Sequence, residues 1–155
     1  MILYDYILSP SCYRVRLLAA LIGRRLDLRA VDLHPGQEHL SEPMLALNPA
    51  GSIPVLTDGG LVLTESTAIL IYLAAHDGPA WLGEDTPAMR ARVAQWLAFA
   101  QRLTDSAGAA RAHDMLLAPG DIDALRKQAT QALRELEAAL SAARRRGESF
   151  LAGKR

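Results

Sequence analysis

The hydrophobic period of this chain changes at Ser9-Pro10, and that change limits the folds open to it. Residues 2 to 7 (Ile-Leu-Tyr-Asp-Tyr-Ile) are rich in aromatic and β-branched side chains and read as a strand that begins almost at Met1. Beyond Ser9-Pro10, Val15, Leu18, Ala19 and Ile22 recur at helical spacing, so one face from about Cys12 to Arg24 is apolar. Leu28 to Leu33 reads as a second strand, and a strand, helix, strand order with one crossover makes the two strands parallel neighbours.

After a loop at His34 to Glu38, Ser41 is placed to cap a short helix through Met44 and Leu47. Asn48-Pro49 must stop it, because a residue before proline avoids the helical region. Ile53 to Thr57 and Leu61 to Thr64 flank Asp58-Gly59-Gly60, a hairpin signal. Ser66 to Ala75 closes the unit as a helix with Ile69, Leu70 and Leu73 on one stripe. The predicted result is βαβ followed by αββα, a four-stranded mixed sheet of thioredoxin-like α/β architecture over residues 1–77.

Gly78-Pro79 to Pro87 reads as a proline-rich linker (78–87) into a part without strand signals. From 88 to 155 the chain reads as an all-α domain. Met89, Val93, Trp96, Leu97, Ala100, Leu103 and Ala107 keep helical spacing, and so do Leu125, Ala129, Ala132, Leu133, Leu136, Leu140 and Ala143. Two long helices are predicted, joined near Ala118-Pro119-Gly120, with Asp121 as cap of the second.

Seventeen basic residues balance seventeen acidic ones, so no global field points to nucleic acid or an anionic membrane. Arg144-Arg145-Arg146 reads as the basic last turn of a helix. The longest apolar run, Thr67 to Ala75, is far short of the roughly 20 residues that span a bilayer. Met1 leads directly into a strand, so no secretory leader is expected. A single cysteine, Cys12, cannot form an internal disulfide and suits a cytoplasmic setting.

Three segments combine into one candidate site: Ser9-Pro10-Ser11-Cys12, Ser52-Ile53-Pro54 and Thr64-Glu65-Ser66. A helix start offers unpaired N–H groups and a positive dipole end, which favour a thiolate, and a hydroxyl there can donate to its sulfur. Together these can draw a thiol from about 8.5 toward neutrality. Ser9 would act as a donor rather than a base; read alone it is an N-cap. A cis bond at Ile53-Pro54 would leave the Ile53 main chain unpaired at the sheet edge, open to a short peptide strand; the other reading is ordinary strand punctuation. Glu65 offers a carboxylate for an ammonium group, while the Ser66 hydroxyl and the helix-start N–H groups suit a carboxylate. A γ-glutamyl end carries both on one carbon. Alone, the segment is a helix start.

Ser-Pro-x-Cys-x-Arg-Val-Arg (9–16), Glu-His-Leu-Ser (38–41), Leu-Asn-Pro-Ala-Gly-Ser-Ile-Pro-Val-Leu (47–56) and Leu-Thr-Glu-Ser-Thr-Ala-Ile (63–69), taken together, resemble the soluble glutathione S-transferases. The nearest branches are the bacterial theta-like and zeta-like ones, and the resemblance covers about residues 1–110. It implies a glutathione-binding thioredoxin-like domain followed by a helical one, a cytoplasmic homodimer, and glutathione as co-substrate with no metal. Position by position, Ser9 resembles the serine that polarises the thiol, with Ser11 as fallback. Ile53 resembles the residue whose main chain pairs with the tripeptide before a cis Pro54, Glu65 and Ser66 the γ-glutamyl clamp, and His39 a theta-class histidine near the glycyl carboxylate.

Two departures stand out. Zeta-like members carry a Ser-Ser pair where this chain has Pro10 after Ser9, which weighs against isomerisation. The family's helical domain also runs well past two helices, so either the chain is shortened or this sequence is part of a longer one.

Trp96, Phe99, Ala100 and Leu103 offer an apolar wall for a second substrate, a small apolar electrophile; the same spacing also describes core. A non-catalytic module of the same fold is the alternative function. Reductase chemistry through Cys12 ranks last, since Cys12 falls one turn inside the helix, where it should be buried and inert.

Overall fold

The computed structural model describes residues 1–153; the last two positions of the helical domain expected to reach 155 lie outside the described residues. The chain divides between Pro79 and Ala80 into two compact units. Within the expected linker, Pro79–Leu82 forms a 3-10 turn.

The first unit runs β1 (Ile2–Asp5), α1 (Pro10–Leu21), β2 (Asp27–Ala30), a 3-10 turn (Glu38–Leu40), α2 (Glu42–Leu47), β3 (Val55–Asp58), β4 (Leu61–Leu63) and α3 (Ser66–Asp77). The strands form one mixed sheet in the order β2-β1-β3-β4. β1 pairs parallel with β2 and antiparallel with β3, which pairs antiparallel with β4. This is the thioredoxin-like arrangement, and each connection follows from local chemistry. Gly59, at φ +57°, lets the hairpin between β3 and β4 close tightly where a Cβ would be strained.

Alternation along the strands divides the core. Leu3 and Leu56 point to one face and pack with Val15, Ala19, Ile69 and Leu73, so α1 and α3 cover that side. Their neighbours Tyr4 and Val55 point the other way, into a smaller cluster with Val31 and Met44 of α2. Asp5, 8 % exposed, is buried at the end of β1 as one half of an ion pair with Arg16, and the same guanidinium donates to the Ile7 carbonyl at 3.3 Å. That pairing fixes α1 against the strand it follows. An unpaired carboxylate at that depth would be costly.

β2 is shorter than the predicted 28–33 and lies at the sheet edge with all four residues exposed. The ladder ends where β1 ends: the Val31 N–H still donates to the Asp5 carbonyl at 2.8 Å, but the Leu33 N–H turns back to the Val31 carbonyl at 2.9 Å, and the outward Asp32 N–H donates to the Glu38 carboxylate at 2.8 Å.

The second unit holds α4 (Pro87–Leu103), α5 (Ala109–Leu116) and α6 (Ile122–Arg145). Thr86 and Asp121 cap α4 and α6 by accepting from Met89 N–H and from Asp123 and Ala124 N–H. Arg144 and Arg145 occupy the last turn of α6, where cations meet the negative dipole end. The apolar spacing that predicts one helix through Ala107 is interrupted by a π-helical turn at Thr104–Gly108. Thr104 and Ser106 hydroxyls donate to the Ala100 and Arg102 carbonyls at 3.1 and 2.7 Å, and such back-bonding bends helices. Among the described residues, no helix is long and apolar enough to cross a membrane.

Leu73 is fully buried between α3 and the sheet. Leu73→Ala should therefore cost about 2–5 kcal/mol, read as a lower urea midpoint for the first unit.

Candidate functional site

The sheet register gathers four connections at one end. Tyr4 pairs with Val55, so the start of β3 lies beside the end of β1 that leads to Ser9. Leu56 pairs with Leu63, which puts the end of β4, and hence Glu65-Ser66, at the same place. Asp5 pairs with Ala30 in the parallel strand, so the chain leaving β2 toward His39 departs from that end too.

Ser9 is the N-cap of α1, in extended conformation, and its Oγ accepts the Cys12 N–H at 3.2 Å. Pro10 occupies the first helical position, where its missing N–H costs nothing. The half-buried Ser9 hydroxyl thus accepts from the backbone, and its one proton lies within reach of the Cys12 sulfur, a weak acceptor that a stronger one can displace. Ser11 lies in the first helical turn, also half-buried, and its side chain makes no hydrogen bond among the described residues.

The Ile53-Pro54 peptide is cis, and Pro54 is fully buried. Ile53 packs its side chain on the Val31 and Met44 cluster, while its N–H and C=O have no backbone partner among the described residues. The loop before it is pinned by Asn48, a buried residue whose Nδ2 donates to Ser52 O at 2.8 Å and Ser52 Oγ at 3.0 Å. Its Oδ1 accepts the Ala50 N–H at 3.1 Å. Gly51, at φ +59°, lies where a Cβ would come within 2.8 Å of Leu40. A side chain there would be strained by the positive φ and would displace the Leu40 side chain. His39 is half-buried, and its Nδ1 is enclosed without a hydrogen-bond partner among the described residues.

Glu65 is the N-cap residue of α3, exposed, with no side-chain capping bond, so its carboxylate is available to a cation. Ser66, the first helical residue, is 5 % exposed, and its Oγ accepts a hydrogen bond from the Arg14 guanidinium. Sequence reading passed over both Arg14 and Asn48. Asn48 carried a local signal, an amide before Pro49 at a helix end; Arg14 did not, since its partner is 52 residues away.

Trp96, Phe99 and Leu103 lie on α4, each half-buried. Trp96 and Phe99 meet edge to face at 5.5 Å between ring centroids, and Arg102 lies over the Phe99 ring at 5.2 Å. The Trp96 indole N–H donates to the Leu151 carbonyl at 3.0 Å. Trp96 and Phe99 share a pocket of about 350 Å³ with Gln95, Ala98, Arg102 and Glu135; Leu103 is not part of it.

A family model described as "Glutathione S-transferase, N-terminal domain" matches residues 3–81. The chain belongs to the glutathione S-transferase family. It is 41 % identical over 99 residues to glutathione S-transferase theta-1 of Bos taurus, covering 63 % of this chain and 40 % of that protein. To glutathione S-transferase 1 of Dianthus caryophyllus it is 45 % identical over 71 residues, 46 % of this chain and 32 % of that protein. The matched segments thus span well under half the length of these curated relatives. Among solved structures, a Nilaparvata lugens delta-class glutathione transferase superposes with a TM-score of 0.78 at 35 % identity, over 99 % of this chain and 70 % of that one.

Within this family member, Cys12 has no part in thiol exchange. It is fully buried, and burial pushes its thiol up from the ordinary 9.0, offset in part by hydrogen bonding from Ser9 and from the Tyr6 backbone. A sulfur held protonated and out of solvent is no nucleophile. The folded chain keeps the proton that the unfolded thiol loses as pH rises past 9.0, so Cys12 stabilises the fold below that value and less above it. A thiol-specific chromogenic disulfide should leave Cys12 untouched in the native chain and react with it in denaturant. Cys12→Ala should flatten the fall in stability above pH 9.

Proposed function

We propose that the chain binds glutathione across the gathered end of the sheet and activates its thiol with Ser9 for attack on a small apolar electrophile. The observation that carries this reading is the double use of the Ser9 hydroxyl. Its oxygen accepts the Cys12 N–H at 3.2 Å, and its proton, which the protonated Cys12 sulfur accepts only weakly, is better satisfied by an anionic sulfur at the positive end of α1. Ser11, one turn-position further in, is the fallback donor.

The remaining contacts follow the chemistry of the tripeptide. The Ile53 main chain, ahead of Pro54, pairs with the extended cysteinyl backbone as a short antiparallel strand. The Glu65 carboxylate takes the γ-glutamyl ammonium, and the Ser66 hydroxyl with the α3 N–H groups takes the carboxylate on the same carbon. His39 serves the glycyl carboxylate. In the reaction the thiol proton leaves to solvent as Ser9 stabilises the thiolate. The sulfur lone pair then forms the new S–C bond while the leaving group departs with its electron pair. No metal enters this scheme. A homodimer in a cytoplasmic setting completes the proposal.

Steady-state kinetics with glutathione and a panel of aryl and alkyl halides test it. Ser9→Ala should lower kcat roughly 100-fold, about 2.7 kcal/mol, with KM for glutathione nearly unchanged. An equal loss in Ser11→Ala and none in Ser9→Ala would move the role to Ser11. Retention on immobilised glutathione with no turnover of any electrophile would favour a non-catalytic module.

A further inference from the structure

Arg14 stands in the second turn of α1 and reaches the first residue of α3, where its guanidinium donates to Ser66 Oγ. A guanidinium has five donors and no acceptor, so the serine oxygen can only accept from it. The proton of that buried hydroxyl is thereby turned toward some other acceptor. The same contact brings a permanent positive charge to the N-terminal end of a 12-residue helix.

Glu65 makes this charge matter. Its carboxylate suits an ammonium group, but it repels a carboxylate attached to the same carbon as that ammonium. The N–H groups of α3 and a neutral hydroxyl offset this only in part, and a guanidinium one hydrogen bond behind the hydroxyl strengthens the offset.

We propose that Arg14 is a positioning residue that determines specificity: acting through Ser66, it makes the γ-glutamyl subsite select a charged α-carboxylate over a neutral α-carboxamide. This rests on the glutathione reading above and names the residue that decides between two ligands of nearly identical shape.

Calorimetric titration of the full chain with glutathione, and with the analogue whose glutamyl α-carboxyl is a carboxamide, reads the effect without turnover. The unsubstituted chain should prefer glutathione by roughly 30-fold. Arg14→Met should weaken glutathione roughly 10- to 100-fold, the range for loss of a charge-assisted hydrogen bond. The carboxamide affinity should barely move, so the preference falls below about threefold. Arg14→Lys, which keeps the charge, should restore part of the preference, and it carries the comparison if Arg14→Met does not fold. At saturating glutathione kcat should stay within about threefold, since Arg14 acts on binding of the glutamyl end. In a Ser66→Ala background the Arg14 substitution should lose most of its effect. An unchanged preference in Arg14→Met, or an equal loss of both ligands, overturns this inference alone. Failure of the unsubstituted chain to bind either ligand overturns the glutathione reading and this inference together.

Discussion

The pairing register of β3 against β1 is the constraint on which the rest of the first unit depends. Tyr4 opposite Val55, and Leu56 opposite Leu63, decide which chain ends share an edge of the sheet. A slip of one residue would turn Leu56 out of the cluster with Leu3, Val15 and Leu73 and expose it to the opposite face. The hydrophobic alternation therefore enforces the register, and the register carries Ser9, the Ile53-Pro54 turn, Glu65-Ser66 and the approach to His39 to one place. Function is built from loops, but their convergence is a consequence of core packing.

Two hydroxyls at this edge share one device. Ser9 accepts from a backbone N–H and Ser66 accepts from a guanidinium. In both cases a donor that cannot itself accept has engaged the oxygen, so each serine meets a ligand as a donor; at Ser9 the ligand sulfur replaces the weakly accepting Cys12 sulfur. Each hydroxyl also stands at the start of a 12-residue helix, so each donor is reinforced by the same sign of dipole. In the proposed complex the first hydroxyl meets a thiolate and the second a carboxylate. A chain with no net formal charge can thus favour an anionic peptide through local orientation alone.

Much of this was legible beforehand because the signals are local. Period changes placed β1, α1 and the hairpin; Asp121 announced its own cap; Asn48-Pro49 stopped α2 where expected. What sequence did not yield depends on distant or competing partners. Arg14 and Ser66 lie 52 residues apart. The end of β2 is set by the end of its partner β1 at Asp5, 25 residues earlier than Ala30, and no strand propensity of residues 31–33 encodes that. The π-helical turn, with the Thr104 and Ser106 hydroxyls bonded back to the Ala100 and Arg102 carbonyls, falls within an apolar pattern that otherwise continues and gives no sign of it. Among the expected wall residues, helical spacing did not separate Trp96 and Phe99, which share a pocket, from Leu103, which does not.

The central claim is electrostatic: the head of α1, through the proton of Ser9, holds a bound sulfur as an anion. Ultraviolet titration of the thiolate in the complex with glutathione tests it most directly. The account predicts ionisation at least one pH unit below that of free glutathione, about 1.4 kcal/mol of preference for the anion, and loss of that shift in Ser9→Ala. A bound thiol that ionises at the same pH as the free tripeptide would contradict it.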